Sequence, residues 1–255
     1  MKFSLASATL ASVMAFTAVG ISAPAHALDD QQKKEIGAYI KEYLIANPEI
    51  MLEVQDALER KQSEARNAKA SEAVSSNQKA LFESKFDISL GNPKGDVTLV
   101  EFFDYNCGYC KRAMSDMDNI LKSDKNIRVV LKEFPILGPE SLAAHKVSNA
   151  VKLVAPEKYP EFQRTLLGST GRANEDSAME VATSLGIDEA AIRKSMEESP
   201  NTPQVQEAYS LANNLGITGT PSYIIGTEAV FGAVGADPLK EKIANMRTCG
   251  KATCS

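Results

Sequence analysis

The chain has 255 residues, 44% of them hydrophobic and 24% charged, with four cysteines, two histidines, no tryptophan and a formal charge of −5. That composition is ordinary for a globular protein and argues against collagen-like, disordered and membrane-bundle classes, and the negative balance removes any general electrostatic reason to bind nucleic acid. With one of the two histidines (His26) in a leader-like segment, a multi-histidine metal centre cannot be built, so chemistry falls to carboxylates, hydroxyls and cysteines, and no metal or cofactor is expected.

Residues 1–27 read as a signal peptide. Lys2 gives a positive start, Leu5 to Ala23 is apolar but rich in Ala, Ser and Thr, and Ala25-His26-Ala27 supplies the small residues of a cleavage site. A transmembrane anchor is the weaker alternative, because the run ends in Pro24 without a basic stop-transfer cluster. Cleavage after Ala27 is expected, with the mature chain working outside the cytoplasm, where disulfides are permitted.

In residues 28–58 apolar side chains recur at helical spacing: Ile36, Tyr39, Ile40, Tyr43 and Leu44, then Ile50, Val54 and Leu58. Asn47-Pro48 interrupts them, with Pro48 suited to the first turn of a second helix. Residues 59–80 are charged and Ala-rich, and Val74 is the only large aliphatic residue, so they read as an exposed helical linker with almost nothing to bury. Two short amphipathic helices followed by a solvated one cannot make a core alone, which points to packing against copies of the chain in a homo-oligomer, with docking on its own domain the alternative.

A third region occupies residues 81–255. Val97 to Phe103 reads as a buried strand and runs directly into Asp104-Tyr105-Asn106-Cys107-Gly108-Tyr109-Cys110, with a helical pattern over Lys111 to Leu121. Ile127 to Phe134 is a second strand, and residues at about 139–215 are helical in texture. Gly219-Thr220-Pro221 precedes two short strands, Ser222 to Ile225 and Ala229 to Phe231. A last helix follows, with Asp237 as its cap and Pro238 at its first position.

Cys107 and Cys110 close a strand and open a helix. Unpaired N–H groups and the dipole at a helix N-terminus favour a thiolate at Cys107, and Cys110 lies one turn on, in reach of a mixed disulfide. Gly108 and Tyr109 between them tune the pair. Half of a zinc site, an inert disulfide and a reduced buried pair are the alternatives; the strand-then-helix context favours redox chemistry. Glu101 stands in an apolar strand, where it is either functional or ion-paired, with Lys132 on the next strand a candidate partner. His145 reads as a surface or helix-packing residue, and Asp104 and Asn106 as shapers of the turn and caps of the helix. Cys249 and Cys254 read as a structural disulfide closing a six-residue loop, worth about 2 kcal/mol of loop entropy. A second redox pair or a soft copper(I) site is the alternative.

The run VEFFDYNCGYCKRA, the distant Gly219-Thr220-Pro221-Ser222 and the helical block between them resemble the DsbA-like family of bacterial envelope thiol oxidoreductases. The resemblance implies an α/β thioredoxin fold with an inserted helical domain, a cis Pro221 facing Cys107, and a Thr220 backbone that pairs with substrate. It also implies a Glu101 that assists proton transfer at Cys110. Thr220 before the proline and Gly-Tyr between the cysteines are similar to disulfide isomerases of the DsbC type. The amino-terminal IGAYIKEYLIANPEIMLEVQDALE resembles the oligomerisation segment of the suppressor of copper sensitivity protein C (ScsC-like) group, whose trimeric members gather several catalytic domains. Together these imply a periplasmic homo-oligomer, a trimer among its options, acting as isomerase or reductase on disulfide-containing envelope proteins. A membrane thiol reductase (DsbD-like) or oxidase (DsbB-like) would be its redox partner. A DsbA-type dithiol oxidase and a copper(I)-binding protein of copper tolerance are the alternatives.

Overall fold

The structure is a computed structural model describing residues 28–254, so the expected signal peptide and its cleavage after Ala27 lie outside the described residues. Contacts divide the chain into two units, one through Ala57 and one from Leu58 onward. No helix among the described residues is long and apolar enough to cross a membrane.

Helix α1 (Asp30–Ala46) starts at a capping box. The Asp29 carboxylate accepts the Gln32 N–H at 2.8 Å, and the Gln32 side chain returns a bond to the Asp29 N–H at 3.1 Å. It ends before Asn47-Pro48, and α2 runs from Glu49 to Ser76. No side chain of α1 is buried. Ile36, Tyr39, Ile40 and Tyr43 are exposed along one helical face, with the two tyrosine rings stacked at 6.2 Å.

α2 carries through the stretch read from sequence as a solvated linker, and the far end of that stretch is not solvated. Ala70 and Val74, together with Leu81 of the short α3 (Gln78–Phe82), are fully buried. They pack on one face of a five-stranded sheet, in a cluster with Val100, Phe102, Val130 and Ile224. A methyl and an isopropyl group one turn apart suffice to dock a helix closely, so the one large aliphatic residue of this stretch, Val74, is enough when Ala70 packs beside it.

The sheet has the order β1-β3-β2-β4-β5, built from β1 (Ile88–Gly91), β2 (Val97–Phe103), β3 (Ile127–Glu133), β4 (Ser222–Ile225) and β5 (Glu228–Phe231). β2 and β3 are parallel and the remaining pairs antiparallel. The parallel pair is connected through α4 (Gly108–Ser123), the usual crossover. Between β3 and β4 come α5 (Pro139–Val154), α6 (Tyr159–Gly168), α7 (Glu175–Ser184), α8 (Glu189–Glu198) and α9 (Thr202–Leu215), and α10 (Ala236–Cys249) closes the fold. This is a thioredoxin fold with a helical insertion. α10 begins one residue before Asp237 with Gly235 as its cap, so Asp237 lies in the first turn rather than capping it.

Side chains alternate across β2. Leu99, Glu101 and Phe103 face one side of the sheet, while Val100 and Phe102 face the other, against α2, α3 and α9. The insertion is fastened through Glu133 at the end of β3. Its carboxylate accepts Ser148 Oγ at 2.5 Å, Tyr159 OH at 2.8 Å and Gln204 Nε2 at 3.0 Å, with His145 Nδ1 at 3.1 Å and Lys152 Nζ at 3.5 Å. Against the upward pull of burial, Lys152 and His145 hold this carboxyl well below the usual range. His145 is thus a buried packing residue, in ring contact with Tyr105 and Phe103.

Candidate active site

β2 delivers the chain to a turn anchored by Asp104, which is fully buried. Its carboxylate accepts the Asn106 N–H at 2.8 Å, Ser141 Oγ at 2.8 Å and the Leu137 N–H at 3.0 Å. Asn106 spans to the insertion, exchanging two hydrogen bonds with the Ala173 backbone and donating to Ser141 Oγ. Asp104 and Asn106 therefore shape the turn as expected but do not cap the helix. Cys107 is the cap: its backbone is extended, and Sγ accepts the Cys110 N–H at 3.3 Å. Sequence inspection does not reveal the tie to Ser141 and Ala173, because nothing local marks partners 35 and 67 residues away.

The Thr220–Pro221 peptide is cis, and Cys107 Sγ lies 3.1 Å from the Thr220 carbonyl oxygen, to which the thiol donates. The two motifs, 113 residues apart, are brought into contact. Both Cys107 and Cys110 are free and buried, Cys110 completely. Hydrogen bonding from the Cys110 thiol, opposed by burial and aided by the Thr220 side chain and the N–H groups of Cys110 and Tyr109, brings the Cys107 thiol down to about 6. The same hydrogen bond, with burial, pushes Cys110 far up, so one proton stays on the inner sulfur. Gly108 and Tyr109 are exposed at the mouth, with the Arg112 guanidinium 4.2 Å over the Tyr109 ring.

Glu101 lies beneath α4, on the Cys110 side of the sheet. Burial, and then the Cys107 thiolate, push its carboxyl up to about 8. It does not pair with Lys132. In the parallel register Glu101 is level with Leu131 and Lys132 with Phe102, so the carboxylate and the ammonium point to opposite faces of the sheet. Lys132 instead bonds to the Ala80 carbonyl at 2.6 Å, to Glu207 at 3.1 Å and to Asp87. Glu101 borders a cavity of about 220 Å³ with Leu90, Met114, Met117 and Leu167.

Beside the cis peptide lies a groove of about 420 Å³, lined by Tyr109, Thr218, Gly219, Thr220, Phe231 and, from α2, Arg66. Cys249, the last residue of α10, is bonded to Cys254, which leaves no free thiolate there. Among the described residues, no cluster of three or more metal-ligating side chains occurs.

Comparison with known proteins agrees with this geometry. The family model described as a DSBA-like thioredoxin domain matches residues 98–244, and the copper resistance protein ScsC N-terminal domain matches residues 32–65. A thioredoxin-like oxidoreductase from Silicibacter pomeroyi is 37% identical, with a TM-score of 0.65 over 68% of this chain and 99% of that one. A linker-deletion variant of Proteus mirabilis ScsC is 25% identical, with a TM-score of 0.63 over 88% and 99%. The thiol:disulfide interchange protein DsbA of Bordetella pertussis is 27% identical over 52% of this chain and 64% of its own. The chain spans less than two thirds of the length of these first curated relatives. With the domain match covering more than half of the sequence, the chain belongs to the DsbA-like thioredoxin-domain family.

Proposed function

We propose that the protein is a periplasmic thiol–disulfide oxidoreductase acting on protein substrates as a disulfide isomerase or reductase. The observation that carries this reading is Cys107 as the N-cap of α4, its sulfur held by the Cys110 N–H and in contact with the Thr220 carbonyl. The Cys107 thiolate attacks one sulfur of a substrate disulfide, forms the mixed disulfide and expels the other substrate sulfur as a thiolate. In reduction, Cys107 is uncharged in the mixed disulfide, so its push on Glu101 is gone; the ionised form of Glu101 takes the Cys110 proton, and Cys110 attacks Cys107 Sγ and releases the substrate sulfur as a thiolate. The enzyme is left oxidised and the substrate gains two electrons and two protons. In isomerisation, the expelled or a neighbouring substrate thiolate attacks the mixed disulfide and restores Cys107 with no net redox change. Thr220 and the groove beside Pro221 hold the substrate backbone as an added strand.

The exposed apolar face of α1 supports a homo-oligomer, a trimer by resemblance to the ScsC group, in which several sites act on one client. Net isomerase or reductase work requires a membrane thiol reductase to keep Cys107 and Cys110 reduced. Work as a dithiol oxidase requires a membrane oxidase instead. The match to a copper resistance domain favours a second role, copper(I) held by the reduced Cys107 and Cys110 sulfurs, which are soft ligands. Cys249 and Cys254 serve as a structural tie.

The test is refolding of scrambled ribonuclease by the mature chain. Cys107→Ser is expected to abolish it, and Cys110→Ser to accumulate a mixed disulfide with the client. Full refolding activity in Cys107→Ser would sink the proposal. In the envelope, a reduced Cys107–Cys110 pair supports isomerase or reductase work, and an oxidised pair supports the oxidase.

A further inference from the structure

The groove beside Pro221 has one charged lining residue, and it does not come from the thioredoxin fold. Arg66 belongs to α2, and its guanidinium lies 5.9 Å over the ring of Phe231. Arg66 is exposed, and among the described residues no carboxylate is ion-paired with it or with Arg112, the second guanidinium at this mouth. Every other group lining the groove is neutral: Tyr109, Phe231, hydroxyls and small residues. The chain as a whole is acidic. Its long-range field therefore repels acidic partners, while the groove next to Cys107 attracts them at short range.

The register says how far from the reacting sulfur this charge acts. Phe231 is paired with Ser222, two residues after Thr220, and the Gly232 N–H donates to the Pro221 carbonyl at 2.9 Å. The residue whose ring Arg66 covers is therefore level with a position two residues along the chain from Thr220, about 7 Å at about 3.3 Å per residue of extended chain.

We infer that Arg66 is a specificity-determining residue, and that the groove selects extended peptide segments carrying a carboxylate about two residues from the substrate cysteine. A guanidinium with its aromatic support already in place keeps most of its donors for a carboxylate, which it binds in a planar two-point contact. The inference rests on the reading of Cys107 as the attacking thiolate and adds the class of client. It also gives α2 a part in the site besides packing on the sheet.

The experiment uses the reduced mature protein and synthetic peptides whose single cysteine is a 2-thiopyridyl mixed disulfide. Attack by Cys107 on the peptide sulfur releases pyridine-2-thione, which is followed by absorbance. Three peptides differ only two residues from the cysteine, carrying Glu, Gln or Lys. For an exposed charge contact at low ionic strength, the Glu peptide is expected to have a kcat/KM about fivefold above the Gln peptide, falling towards equality at high salt. Arg66→Gln should bring that ratio to about one, Arg66→Lys should keep part of it, and Arg66→Glu should favour the Lys peptide. A wild-type ratio of one, or a ratio unchanged in Arg66→Gln, overturns the inference and leaves the reading of Cys107 intact. If Cys107→Ser releases pyridine-2-thione as fast as the wild type, it is the underlying reading that fails.

Discussion

Two side chains beside the CxxC turn are set apart by where their protons are held. Cys107 has N–H donors aimed at it and loses its proton readily, whereas Glu101 has a dry environment and a thiolate neighbour and keeps its own. The stability consequence for Glu101 has a definite sign. A carboxyl raised from 4.5 to about 8 costs nothing below pH 4.5; the cost grows as pH climbs to about 8, because only the unfolded chain ionises in that window. Glu101→Gln removes the cost. In urea titrations of the reduced protein, the variant should gain about 3 kcal/mol on the wild type between pH 4 and pH 7. A difference that does not change with pH would show Glu101 to be ionised in the folded state. Lys132 illustrates the limit of reading residues singly. Its charge in an apolar strand was visible, but its face depended on the β2–β3 register, and the register placed it among Ala80, Asp87 and Glu207.

At the scale of elements, the strands and turns nearest the chemistry were the most legible. β2 coincides with the predicted Val97–Phe103, and the two cysteines open α4, because a dense β-branched and aromatic run followed by CxxC has few other conformations. β1 was not predicted: its four residues, Ile88 to Gly91, are half-buried or exposed and carry little pattern. α2 differs from a solvated linker at its far end, because its buried contacts are made by Ala70 and Val74 inside a charged sequence. Val74→Ala is expected to lower unfolding free energy by about 1–2 kcal/mol, whereas Glu64→Ala, on the exposed side, should change it by less than about 0.5. Equal effects of the two substitutions in denaturant melts would mean that this end of α2 is not part of the core.

For the whole molecule, the proposed function gives assembly to the unit through Ala57 and catalysis to the unit from Leu58 onward. Light scattering of the mature chain should give a multiple of one chain's mass. A variant lacking residues 28–57 should be a monomer that still reduces insulin but loses most of its scrambled-ribonuclease activity. A mature chain with the mass of one copy would refute the assembly role. The cut belongs before Leu58, because extending it to residue 80 would remove Ala70 and Val74 from the core. By itself, the sequence determined the CxxC spacing at a strand–helix junction, the strand that leads to it, the apolar face of α1 and the family resemblance. Each of these is written in local order, as spacing or as short runs of residues. Only the tertiary structure decided that Thr220 touches Cys107, that Glu101 and Lys132 face apart, and that Arg66 stands in the groove. Those facts depend on strand register and helix docking, which unite residues distant in the chain and leave no periodicity for the sequence to display.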